Sequence, residues 1–146
     1  MNILDYVRIK TSTKDDGNMS YSYGEKKEVT ENRKNFWQKE DFNYDNTYLL
    51  RTNFKELNIV QAVDTIPNRF TVLHNTDSVI TNRKEVVLGL LTADCLQITA
   101  FDKVNEVLAL IHSGFRWQDA GIIDKTFEIM KEKFNTRMED VLIHLG

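Results

Sequence analysis

The chain has 146 residues, 41% of them hydrophobic and 28% charged, and a net charge of −3. This is the balance of one globular domain that folds without staples, which excludes general disorder and collagen-like repeats. A single cysteine excludes an internal disulfide framework, the acidic charge speaks against generic DNA or RNA binding, and no apolar run approaches the ~20 residues of a membrane span.

In chain order, the apolar spacing of Ile3, Tyr6, Val7 and Ile9 predicts a strand over residues 2–11. No apolar signal core opens the chain, so the expectation is a soluble, cytoplasmic protein that does not enter membranes. Asp15-Asp16-Gly17-Asn18 is a turn cluster. Val29, Phe36 and Trp37 predict a short helix over 27–38, with Thr30 as its cap. A loop over 41–45 leads to two strand-like pieces, Tyr48 to Arg51 and Leu57 to Val63, and Pro67 marks another loop. Val79-Ile80-Thr81 reads as a short strand, and the apolar run Glu85 to Thr92 as a buried one. Two more strands follow, Leu96 to Phe101 and Val107 to His112. Ile122, Ile123, Phe127, Met130 and Phe134 then recur at helical spacing over 120–134, and residues 140–145 read as a last strand. No repeat or linker divides the chain, so residues 1–146 are expected to form a single domain.

The stretch from Leu91 to Lys125 carries the chemistry. Asp102-Lys103-Val104-Asn105 separates two strand patterns and predicts a four-residue hairpin loop. That register sets Phe101 opposite Glu106 and Cys95 opposite His112. Opposed side chains share a face with Cβ atoms ~5 Å apart, so a thiol and an imidazole meet at the open end of the hairpin. This arrangement suits a metal ligand pair or an activated thiol. Taken singly, a cysteine in a strand is a small buried hydrophobe and a histidine on an apolar strand a structural one. Gly114 permits a tight turn from strand into helix and brings Arg116 close to a helix N-terminus, a place suited to anions; stacking on Trp117 or pairing with Asp119 is the other reading of Arg116. Asp94, next to Cys95, is a candidate catalytic base or a cap for the following backbone.

Leu91-Thr92-Ala93-Asp94-Cys95, a short hairpin, then Ile111-His112-Ser113-Gly114-Phe115-Arg116 and Ala120-Gly121 resemble the laccase-domain family, also called the YfiH or multicopper polyphenol oxidase family. The interval of seventeen positions from Cys95 to His112 fits its pattern. Thr76 to Asn82, Val29 to Arg33 and Val141 to Gly146 resemble further segments, so the resemblance spans roughly residues 19–146. It implies an α+β fold, a layered α/β sandwich with a mixed sheet. It also implies a zinc-dependent purine nucleoside phosphorylase acting on adenosine with phosphate, with adenosine deamination in some members. One cysteine and three histidines are too few for a multicopper cluster, so copper is the weaker reading.

The family site holds its metal with two histidines and a cysteine. Cys95 and His112 match two of these ligands. Phe54 stands where the other histidine is expected, and His74 is the nearest substitute in sequence. Trp117 replaces a small glycine, and the chain stops where the family continues, so the domain is expected to be incomplete at its C-terminus and to self-associate. Under the resemblance, Arg116 holds phosphate and Asp94 moves protons. Two readings stand beside it: a degenerate, non-catalytic family member, and a metal-free thiol hydrolase with Cys95 as nucleophile and His112 as base.

Overall fold

The computed structural model describes residues 2–146. Its regular elements are α1 (Lys26–Lys39), β1 (Thr47–Arg51), β2 (Val60–Ala62), β3 (Thr71–His74), β4 (Ser78–Thr81), β5 (Val87–Leu90), β6 (Leu96–Asp102), β7 (Val107–Ser113), α2 (Phe115–Asp119), α3 (Ile122–Phe134) and β8 (Val141–Leu145). The strands form two sheets. One has three strands in the order β3-β1-β5, all parallel; the other has five in the order β2-β4-β7-β6-β8, parallel only between β2 and β4. The expected mixed α/β sandwich is therefore the architecture of this chain.

Alternation along the strands sets the layers, because successive side chains point to opposite faces. On β1, Leu50 faces the larger sheet and packs with Val79 and Leu110, joined by Leu73, Leu88 and Leu90 from its own sheet. Leu49 points the other way, toward α1, where Gly89 lets both it and Trp37 approach the backbone. On the far face of the larger sheet, Ile80, Ala100, Val107 and Ala109 receive Met130 and Phe127 of α3. The layers run α1, small sheet, large sheet, α3. Each large apolar side chain fully buried between them contributes roughly 1.5–3 kcal/mol.

Helix α3 begins after Gly121, whose φ of 80° separates it from α2, and it ends at Asn135 in the left-handed conformation, where the Asn135 N–H closes back on the carbonyls of Lys131 and Met130. Buried Ile122, Thr126 and Met130 recur at the spacing that marked this helix in the sequence.

Several expectations are corrected. Residues 2–11 form no strand: Ile3–Asp5 is a single 3-10 turn, closed by the side chains of Asn2 and Asp5 on each other's backbone amides. Thr30 does not cap α1. It lies one turn inside, its hydroxyl donating to the Lys26 carbonyl, while Glu25 is the extended residue before the helix. The run at Glu85 to Thr92 narrows to β5, which is half-buried because it is an edge of the small sheet. Strand β3 was not anticipated; the helix expected after Gly114 is the short α2, separated from α3 at Gly121.

The hairpin register differs by two residues. Leu96 pairs with Ser113, Gln97 with His112 and Asp102 with Val107. Asp102 belongs to the strand, not to the loop. Its buried carboxylate accepts hydrogen bonds from the amides of Val104 and Asn105 and from the Asn105 side chain, which moves the loop to residues 103–106. Because side chains alternate with period two, this shift keeps Cys95 on the His112 face, as a diagonal rather than a direct neighbour.

Candidate functional site

One end of the larger sheet gathers the start of β4, the end of β7 and the start of β6, which carry Asp77, His112 and Cys95 respectively. The small sheet delivers the ends of β1 and β3 to its own C-terminal edge, with His74 as the last residue of β3 and Phe54 in the loop after β1. The site lies at this end because β7 leaves the sheet there through Gly114 and turns at once into α2.

Gly114 is required by contact. A Cβ there would stand 2.7 Å from Cys95 Sγ and 2.9 Å from Trp117 Cε3. The strand-to-helix turn therefore runs against the thiol on one side and the indole on the other. Trp117 is buried and packs edge-on against the His112 ring, with centroids 4.2 Å apart. Phe54, largely exposed, packs edge-on against the outer part of Trp117 at 5.3 Å. Arg116 reaches the Phe54 carbonyl at 3.5 Å, which ties the loop after β1 to α2.

His112 is 5% exposed. Its backbone N–H donates to the Asp77 carbonyl at 2.8 Å, continuing the β4–β7 ladder by one rung. Its Nδ1 is buried without a hydrogen-bond partner. Burial pushes the imidazole below its ordinary pKa, and the nearby Asp77 carboxylate pulls it part of the way back. Cys95 is a half-buried free thiol. Asp94 is exposed in the bend before it. Arg116 is also exposed, as the second residue of the five-residue α2.

His74, the last residue of β3, is exposed and lines an open hollow of about 540 Å³ together with Arg51, Thr52, Asn53, Phe54 and Lys55. The structure thus brings Cys95 and His112 to Gly114 and Trp117, sets Arg116 on the Phe54 carbonyl, and leaves His74 in the hollow on the Phe54 side. A thiolate and an imidazole are donors that zinc takes, and the orphaned His112 Nδ1 shows that this ring has bonding capacity to spare. They number two, however. Among the described residues no three His, Cys, Asp or Glu side chains are gathered to hold a metal ion. These residues fit zinc in kind but do not by themselves complete a site.

Two neighbours of the site were not singled out from the sequence as functional. Asp77 is fully buried with Oδ1 unpaired, and Trp117 Nε1 is buried and unpaired as well. Asp77 begins an apolar strand, where period-two alternation gives no sign of a carboxylate turned inward. Trp117 entered the sequence reading only as a bulky replacement for glycine.

Comparison with known proteins bears directly on this arrangement. The family model described as multi-copper polyphenol oxidoreductase laccase matches residues 9–146. A purine nucleoside phosphorylase of Clostridium acetobutylicum is 33% identical over 70 residues, which is 48% of this chain and 30% of that protein. A purine nucleoside phosphorylase of Bacteroides thetaiotaomicron is 36% identical over 78 residues, 53% of this chain and 29% of that protein. The crystal structure of YfiH from Bacillus licheniformis superposes with a TM-score of 0.78 at 20% identity, covering 86% of this chain and 49% of that one. The chain thus spans about half of that structure and less than a third of either curated relative.

Proposed function

As the chain belongs to the multi-copper polyphenol oxidoreductase laccase family, we propose that it acts as a purine nucleoside phosphorylase, cleaving adenosine with phosphate at the Cys95–His112 end of the larger sheet. The observation that carries this reading is the packing of Cys95 and His112 about Gly114 and Trp117, with Arg116 tied to the neighbouring Phe54 carbonyl, in a chain similar to relatives named for that activity.

In this proposal Cys95 and His112 supply two zinc donors and His74 is the candidate third, on the far side of Phe54. Bound zinc would polarise a substrate oxygen or a water. Zinc is preferred to copper on the donor set, one thiolate with imidazoles. The chain's own groups do the rest. Arg116, exposed beside Phe54, binds the phosphate dianion and is held there by its contact with the Phe54 carbonyl. Asp94, exposed next to Cys95, moves a proton to or from the purine. Trp117 and Phe54 wall the site with aromatic rings and exclude water from one side. Adenosine deamination at the same site is a companion proposal, and a cytoplasmic location fits a nucleoside and phosphate as substrates. Among the described residues no helix is long and apolar enough to cross a membrane.

The test is adenine release from adenosine by the purified protein with zinc supplied. Release should require phosphate. Arg116→Ala should raise the KM for phosphate about tenfold or more, the value of one charge-assisted hydrogen bond. Release that ignores phosphate, or an Arg116→Ala protein with unchanged KM, contradicts the reading.

The two-donor count favours one other reading, a metal-free thiol hydrolase with Cys95 as nucleophile and His112 as base. Inactivation by thiol alkylation in a protein shown to be free of metal would separate it from the first, and a protein inert in both assays would be a non-catalytic family member. Self-association is proposed as well: β8 is a sheet edge with Ile143 and Leu145 51% and 61% exposed. Sedimentation at high micromolar concentration should show a dimer or larger species, and a clean monomer would refute it.

A further inference from the structure

Buried polar atoms without partners concentrate at one place. Asp77 Oδ1, His112 Nδ1, Ser113 Oγ and Trp117 Nε1 all lack hydrogen bonds and lie where β4 starts and β7 ends, with α2 directly beyond. An unpaired carboxylate oxygen is the most costly of these to bury, because a charge removed from water needs a donor. Asp77 is 0% exposed, and its other oxygen already accepts the Ile59 N–H at 2.9 Å.

Three buried donors could serve Oδ1, and the register distinguishes them. Ser78 pairs with Ile111, and the His112 N–H bonds to the Asp77 carbonyl, so Asp77 and His112 are directly opposed on antiparallel strands. Opposed side chains share a face. Ser113, one residue on, points to the other face. Trp117 lies on α2, beyond the turn at Gly114, and presents its ring to His112. Asp77 is also the carboxylate whose charge His112 feels.

We propose that Asp77 is a positioning residue for His112: the two orphaned atoms are not bonded to each other in the structure, and a rotation of these opposed side chains lets the carboxylate accept the Nδ1–H of the imidazole, which fixes that tautomer and leaves Nε2 as the nitrogen with a free lone pair. Histidines that act through one nitrogen are commonly held by a carboxylate on the other. The assignment goes beyond the proposed activity and does not depend on it, since a fixed tautomer is a property of the folded chain without metal, substrate or turnover.

The experiment is nitrogen-15 NMR of the histidine side chains in the metal-free full chain, at a pH where His112 is neutral. His112 is identified by the signal lost in His112→Gln. The wild type should show a single tautomer, protonated on Nδ1. In Asp77→Asn the amide oxygen can still accept the Ile59 N–H while the negative charge is gone. A purely structural role would leave the tautomer unchanged, whereas the proposal expects the Nδ1–H form to be lost in favour of Nε2–H or a mixture. An Asp77→Asn protein with the wild-type tautomer overturns the proposal, as does one in which only the Trp117 indole signal moves. Should Asp77→Asn fail to fold, the wild type alone decides: His112 protonated on Nε2 overturns the assignment, and Nδ1–H protected from solvent exchange upholds it.

Discussion

At the scale of single residues, the site depends on an absent side chain. Gly114 stands between Cys95 and Trp117 with no room for a methyl group on either side. Neither neighbour moves freely: Trp117 is locked between His112 and Phe54, and Cys95 is held by the start of β6. Gly114→Ala should therefore destabilise the protein by about 1–3 kcal/mol, the usual cost of overfilling a packed site. It should also change the rate at which Cys95 reacts with a thiol reagent. Urea unfolding with a thiol titration on the same samples checks both, and an unchanged midpoint together with an unchanged rate would show that the turn has slack. Cys95 and His112 stood out in the sequence by their placement across one hairpin and by the family resemblance, and Gly114 because glycine permits a tight turn from strand into helix. Asp77 was not, because nothing local separates a carboxylate turned inward from a solvated one.

At the scale of elements, the β6–β7 hairpin determines which residues meet at the site, and Asp102 pins its register. Burial pushes the Asp102 carboxyl up, but the hydrogen bonds from Asn105 and Val104 outweigh that and hold it below the ordinary carboxylate value. Its folded pKa is thus lower than its unfolded one. The resulting stability is present above the unfolded value of about 3.9 and is lost as pH falls through the folded one. Asp102→Ala should cost about 1–3 kcal/mol, since it leaves loop amides without their acceptor. It should also flatten the acid limb of stability against pH. Denaturant midpoints measured from pH 6 to pH 2 on both proteins test this, and parallel curves would contradict it. The same residue explains what the sequence could and could not give. The strand patterns of β6 and β7 and the helical spacing of α3 are strong periodic signals, and both stand in the structure. The register depended on whether Asp102 ends a strand or starts a loop, a choice made by hydrogen bonds of its side chain. Residues 2–11 alternate well enough for a strand, but the side chains of Asn2 and Asp5 accept backbone amides locally and close Ile3–Asp5 into a 3-10 turn. Conversely, Phe70 to Leu73 carries aromatic and β-branched residues, and β3 was readable there had so short a run been given weight.

At the scale of the whole molecule, four layers stack the two sheets so that Cys95 and His112 stand at one end of the larger sheet, while Phe54 and His74 line a hollow at the end of the smaller one. That division was only partly visible beforehand: the mixed layered fold followed from the family resemblance, while the placement of His74 across Phe54 required the packing of the sheets. The proposed reading has Cys95 and His112 as two donors that would hold one zinc ion with a third ligand, so bound zinc per chain is the measurement to make, on the wild type, Cys95→Ala and His112→Gln after dialysis against trace zinc. About one zinc per wild-type chain, lost in both variants, is the predicted result. A wild type that holds no zinc, or a variant that keeps it, would contradict the shared site.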